Sequence, residues 1–249
     1  RWLDVGIFKG GIKAERIDVS EQGLLVWGDD ERVVLRVKLE DKSGEVVVGG
    51  EIMAGAEMVV GNKVGVLVLK EKEIKVVGLD GEEIQSLDLE GVKGRLIEGY
   101  GRNVYLVADE DVFKFPGAES ATGKRRRFLQ AGAEVNTGQV MDMAIDGDLW
   151  LLERTGKVLR LSQGSVTDYQ LKGVEEWKMP ERVMVSEKMN RVWVWDKELG
   201  VIEFERETGN YLRKLVWDDF SRMTDMEVDE ERKRLVGVKG SELWVVGLE

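Results

Sequence analysis

The 249-residue chain has no cysteine and no histidine. Without cysteine there are no disulfides and no thiolate chemistry, and nothing is said about compartment. Without histidine the usual general base, the Ser–His and Cys–His nucleophile systems and the commonest metal ligand are all missing. Proline occurs only twice. No apolar run approaches the ~20 residues of a membrane-spanning helix, so insertion of this segment into a membrane is not expected. Positive charge is in deficit: 37 Lys and Arg face 48 Asp and Glu, a formal charge of −11. Phosphate backbones need a basic field, so nucleic acid is excluded as a general partner. Neither GxxxxGK[ST] nor G-x-S-x-G occurs. The chain begins at Arg1 rather than Met, which is read as a fragment of a longer protein or a processed or trimmed chain.

What is present is β-sheet material in repeats. Thirty glycines are spread along a chain that is 43% apolar, as expected for many tight turns between short strands. A short apolar strand ending in a polar turn recurs at Ile17–Ser20, Met58–Gly61, Glu98–Gly101, Met143–Asp146, Val183–Ser186 and Met226–Asp229, spaced 40 to 45 residues apart. Four strands at that period are the mark of a propeller blade. The 3.6-residue periodicity of a helical solenoid is missing.

Val183–Trp217 is the most regular unit. Its apolar runs, Val183–Val185, Val192–Trp195, Val201–Phe204 and Tyr211–Val216, are each closed by turn residues. The sixth unit stops after three strands, while Arg1–Phe8 is a spare strand. The expected architecture is therefore an all-β, six-bladed propeller of four-stranded antiparallel blades, spanning 1–249 as a single domain and a monomeric ring. Strand 1–8 pairs into the C-terminal blade and removes two exposed sheet edges. Blades are expected near 14–50, 51–91, 92–132, 133–174, 175–218 and 219–249 plus 1–8.

Ile145–Leu161 and Val185–Phe204 resemble NHL- and YVTN-type propeller repeats: an apolar strand ending in a polar turn, an aromatic-bearing strand, then a third strand with Val or Phe. The resemblance implies the fold and no particular function.

Numbering strands a to d from the axis outward, the b–c and d–a connections share one face. The b–c tips carry Asp29, Asp30 and Glu31, Glu71 and Glu73, Asp109 to Asp111, Glu153, Asp196 and Glu198, and Glu242. They form an acidic rim that suits a basic peptide or a cation, although hairpin tips are also polar for backbone reasons. On the inner strands, Arg16, Glu57, Ile97, Asp142, Arg182 and Asp225 are expected near the channel mouth, with mutual pairing favoured over ligand binding.

Six tryptophans fall in strands and are expected to pack between blades. Trp177 and Trp217 stand in connections on the acidic face, where they suit a peptide or a sugar. Lys124–Arg127 is read as an outer strand guarded by charge. Asp146–Gly147–Asp148 is read as a turn, because Lys157 stands where a calcium loop needs Glu.

The function expected is a non-catalytic protein-, peptide- or glycan-binding scaffold, probed through Trp177, Trp217, Asp29, Asp196, Asp142 and Asp225, with no cofactor. The alternative is a metal-dependent hydrolase or lyase. Six-bladed lactonases and esterases hold a metal with carboxylates at the channel, and Asp142, Asp225 and Glu57 imitate that set. No matching motif accompanies them, and Arg16 and Arg182 oppose a dication.

Overall fold

A computed structural model describes residues 3–4, 14–20, 23–28, 33–37, 44–49, 54–60, 63–117 and 124–248. Six four-stranded antiparallel sheets make a ring. Blade one is β2 (Ala14–Ser20), β3 (Gly23–Gly28), β4 (Val33–Val37) and β5 (Gly44–Gly49). Blade two is β6 (Ala54–Val60), β7 (Lys63–Leu69), β8 (Glu73–Gly78) and β9 (Glu83–Asp88). Blade three is β10 (Gly94–Tyr100), β11 (Asn103–Ala108), β12 (Val112–Phe115) and β13 (Arg126–Arg127). Blade four is β14 (Val140–Ile145), β15 (Leu149–Glu153), β16 (Val158–Ser162) and β17 (Ser165–Val166). Blade five is β18 (Pro180–Ser186), β19 (Arg191–Asp196), β20 (Gly200–Glu205) and β21 (Tyr211–Leu215).

Blade six is β22 (Asp225–Asp229), β23 (Arg234–Lys239) and β24 (Glu242–Gly247), completed by β1 (Leu3–Asp4). Leu3 stands opposite Leu243 and Asp4 opposite Glu242. The N-terminus thus supplies the sixth outer strand, as the strand count requires. Each blade's inner strand contacts the next, in the order β2, β6, β10, β14, β18, β22 and back to β2.

Blades hold together because both faces of each sheet are apolar. In β19, Val192 and Val194 face blade four and join Trp150 and Leu152. Trp193 and Trp195 face the other way and join Phe220, Met226 and Leu235 of blade six. All four β19 residues are at most 1% exposed. A two-residue period buried on both sides gives the near-continuous apolar run seen in the sequence. Each such side chain contributes about 1.5–3 kcal/mol on burial.

The outer strands of blades three and four are shorter than the sequence suggests, at two residues each. Beyond Arg127 the chain leaves its own blade, and Gln130 N–H donates to Gly164 C=O of blade four. Beyond Val166 it again moves on, and Lys172 N–H donates to Gly209 C=O of blade five. These segments satisfy their backbone groups on the next blade instead of extending their own.

Because β1 closes the ring, deleting residues 1–8 is expected to lower the melting temperature by more than about 5 °C, equivalent to ~2 kcal/mol for a chain of this size. Unchanged melting by circular dichroism would contradict the closure.

Candidate functional site

The inner strand of each blade pairs with only one neighbour, so its inner edge has backbone groups to satisfy. Charged side chains from adjacent blades do this. Asp142 of β14 accepts from Val183 N–H of β18 at 2.8 Å, and Asp225 of β22 accepts from Ile17 N–H of β2 at 2.8 Å. Arg182 of β18 lies between these carboxylates, 3.8 Å from Asp142 and 3.3 Å from Asp225. Its other nitrogen donates to Glu227 at 2.7 Å and to Ile17 C=O at 3.5 Å. Blades four, five, six and one meet at this guanidinium.

Arg182, Asp142 and Asp225 are buried, and the mutual pairing expected of them is present. They lie near the starts of the inner strands, Asp142 and Arg182 third in theirs and Asp225 first. The one-residue frame of the repeat slips in two blades. Leu96, opposite Val107, holds the position matching Arg182 opposite Trp195, where Ile97 was expected. In blade two Gly55, opposite Val68, holds it in place of Glu57. Glu57 falls one step further along, and its side chain lies outside the described residues.

That further step is a second acidic layer that the repeat frame missed. Asp18 and Glu227 stand two residues beyond Arg16 and Asp225, and Glu98 two beyond Leu96. A period of two from the first layer predicts all three. Arg16 reaches across to Glu98 at 2.8 Å. A cavity of about 450 Å³ opens from here toward the a–b end of the blades, lined by Asp18, Glu98, Tyr100, Arg182, Ser186 and Glu227 among others.

Burial raises two carboxyls of this layer, Glu227 and Glu98. It pushes Glu227 up to about 7, outweighing the attraction of Arg182, and Asp18 adds to the rise. Burial likewise raises Glu98 well above the usual range despite Arg16, and raises Asp225 despite Arg182.

A divalent metal does not fit Asp142 and Asp225, because a guanidinium of this chain already stands between them. Among the described residues, no three acidic side chains converge as metal ligands.

The other end of the blades carries Trp177, Asp196 and Trp217. Asp196 closes β19 and is fully buried. One of its oxygens accepts from Lys178 N–H and Met179 N–H, each at 2.8 Å. The other accepts from Glu198 N–H and Leu199 N–H, each at 2.9 Å. The carboxylate is thus committed to fixing two loops. Trp177, next to the tethered pair, is half-buried against Phe204 and over Gly156. Gly156 has φ +82°, and an added Cβ would stand 2.1 Å from the indole.

Trp217 is half-buried against Trp244 and Phe220, with ring centres 5.2 and 5.6 Å apart. Trp177 packs on the core between blades four and five, and Trp217 on the core between blades five and six. Lys197 N–H donates to Met179 C=O. Gly200, at φ +101°, packs so tightly that an added Cβ would stand 2.2 Å from Leu215 C=O, beside Val216. Met179 is 46% exposed and Val216 70% exposed. Sequence reading reached the two tryptophans but not these neighbours, which carry no motif.

Of the remaining tip acids, Asp29, Asp30 and Glu31 lie outside the described residues. Asp111 is buried, caps Val112 N–H and pairs with Arg127. In the basic run, Arg125 lies over the Phe113 ring and donates to Leu89 C=O. Asp146 accepts from Trp150 Nε1 and Arg206 Nε, which fixes the turn at Gly147. Among the described residues, no helix is long and apolar enough to cross a membrane.

No family model matches the chain, and no curated protein does. Solved structures do. A chain in the crystal structure of a nidogen/laminin complex is 14% identical with a TM-score of 0.63, covering 87% of this chain and 84% of that one. A gluconolactonase from Xanthomonas campestris, XC5397, is 15% identical with a TM-score of 0.68, covering 96% and 87%. At such identities the likeness is one of fold.

Two outcomes follow from the site. Asp196→Ala strands four buried or half-buried N–H groups and is expected to cost about 3 kcal/mol of stability, read by denaturant unfolding. A loss under about 1 kcal/mol would contradict the tether. The second concerns pH. Glu227 holds a proton up to about pH 7 in the folded ring, whereas an unfolded glutamate releases it near about 4.3. Between these values the native state binds more protons, so stability falls as pH rises through the window and levels off above it. Glu227→Gln is expected to flatten that slope and to stabilise at about pH 8, on the order of 2 kcal/mol. Stability that rises from about pH 5 to 8 would contradict it.

Proposed function

We propose that residues 1–249 form a single, monomeric binding ring, without catalysis of its own and within a longer protein. It docks a peptide or protein segment on the rim of blades five and six. The observation that supports this reading is that two rim loops of blade five each set an exposed apolar residue beside a half-buried tryptophan, Met179 with Trp177 and Val216 with Trp217. Asp196 fixes the first of these loops at Lys178 and Met179. Large side chains half-buried in a fixed frame beside exposed apolar neighbours are the composition of an interface centre.

Exposed Glu175, Glu176, Glu198 and Asp218 stand close to these residues along the chain. The occupant is therefore an apolar segment with basic side chains. Asp196, Asp142 and Asp225 act here as positioning residues. One structural neighbour stands in a protein complex and the other is titled an enzyme, so the neighbours favour neither class. The metal-dependent alternative lacks a comparable observation, because Arg182 fills the place a metal would take. The reading calls for no cofactor.

A displayed peptide library selected on the folded protein tests this. Selected peptides are expected to be apolar and basic, and to lose at least about tenfold in affinity on Met179→Ser/Val216→Ser, which changes only exposed side chains. Trp177→Ala/Trp217→Ala should lose more. Peptides that bind all variants equally, or enrichment of glycans instead of peptides on an array, would overturn the assignment.

A further inference from the structure

We infer that the Arg182 hub is a proton-operated latch on the seam between blades five and six, so that the rim joined to it loosens when Glu227 is ionised. The regulation of docking rests on the function proposed above; the latch itself does not.

The connection is short. Met179 is followed by Pro180 and Glu181, and then by Arg182. On the other side of the seam, Val216 and Trp217 lead through a single 3-10 segment, Asp218–Arg222, to Asp225 and Glu227. Both rim loops therefore run straight into the inner strands that the hub joins. Across that seam Arg182 pairs with Asp225 and Glu227, and Ser186–Glu230, Lys188–Glu231 and Arg213 to Leu248 C=O link the same two blades elsewhere.

The charges do not balance. Asp142, Asp225 and Glu227 share one guanidinium. Facing Glu227 from β2 are Asp18 and Arg16, and Arg16 is engaged by Glu98 of β10. From β14 comes Asp142, and from β18 come Arg182 and, nearer the mouth, Ser186, which is bonded to Glu230. From β23, Val236 stands opposite, while its charged residues Arg234 and Lys239 pair with Asp229 and Asp219. Among the described residues, the four carboxylates Glu98, Asp142, Asp225 and Glu227 thus share the guanidiniums of Arg16 and Arg182.

Asp142 and Asp225 each spend an oxygen on a backbone N–H of another blade, so releasing either breaks the ring's inner edge. Glu227 spends its second oxygen only on the N–H of its own neighbour Val228. It also lines the cavity, where water can exchange a proton. Glu227 is therefore the member of the hub that can take up a proton without unpairing another blade. Any opening of the seam that wets Glu227 returns it to an ordinary glutamate and is favoured as pH rises.

Hydrogen exchange on the intact protein at about pH 5.5 and about pH 8, corrected for intrinsic rates, tests the latch without a ligand. Segments 174–180 and 216–224 are expected to lose about tenfold in protection at the higher pH. Glu227→Gln should hold them at the protected level at both values, while Glu98→Gln, on another blade, should keep the wild-type dependence. Protection that is independent of pH in the wild type, or pH dependence that survives Glu227→Gln, would overturn the latch. The wild-type comparison stands even if a variant fails to fold. A rim-selected peptide should bind more weakly at about pH 8 by a similar factor. If exchange follows the prediction and peptide affinity does not, the latch stands and the docking reading fails.

Discussion

The constraint on which this ring depends is the unpaired inner edge of each blade. A β-strand with one neighbour leaves half of its backbone groups without ladder partners, and water can reach them only where the channel is open. Here side chains supply partners. Asp142 and Asp225 take the N–H groups of Val183 and Ile17, and Arg182 reaches the Ile17 carbonyl. Each bond joins different blades, so satisfying the backbone and closing the circle are one act. Apolar packing between blades, as at Trp193 and Trp195, supplies most of the favourable energy. It does not by itself fix which strand edge faces which.

This solution leaves excess negative charge near the axis. A carboxylate is a good acceptor for a lone N–H, but it costs desolvation once buried, and one guanidinium cannot repay three of them. The cost appears as raised carboxyl pKa values at Glu227, Glu98 and Asp225. The same residues that hold the ring thereby make it sensitive to protons near neutral pH. The rim proposed for docking is attached to the same two inner strands by connections a few residues long, which couples it to the channel.

Much of the fold was legible in the sequence. Each blade is one supersecondary unit with its own apolar run and polar turn, and the missing sixth outer strand matched the spare N-terminal one. The short outer strands of blades three and four were not legible, because Gln130 and Lys172 find partners on the next blade, a choice that local pattern does not encode. The channel was half legible. Asp142, Arg182 and Asp225 came from one repeat frame, but the turn that sets the frame in blade three is offset by one residue: Tyr100 opposite Asn103 matches Ser20 opposite Gly23, not Val19. A slip of one residue exchanges the two faces of a strand, which is why Ile97 stood in for Leu96. Asp196 was read as a rim acid because tip residues are usually solvated; its four backbone donors are brought together only by the tertiary structure. Met179 and Val216 carry no sequence signal, since an exposed apolar residue is ordinary until its neighbours are known.

The central claim is that the ring is held by carboxylates that burial has left short of positive charge. The most direct measurement is a carbon-detected NMR titration of the Glu227 side-chain carboxyl in the folded protein. The account predicts a midpoint near 7, with Arg182 resonances shifting in the same step. A midpoint near about 4.3, the value of a solvated glutamate, would contradict it.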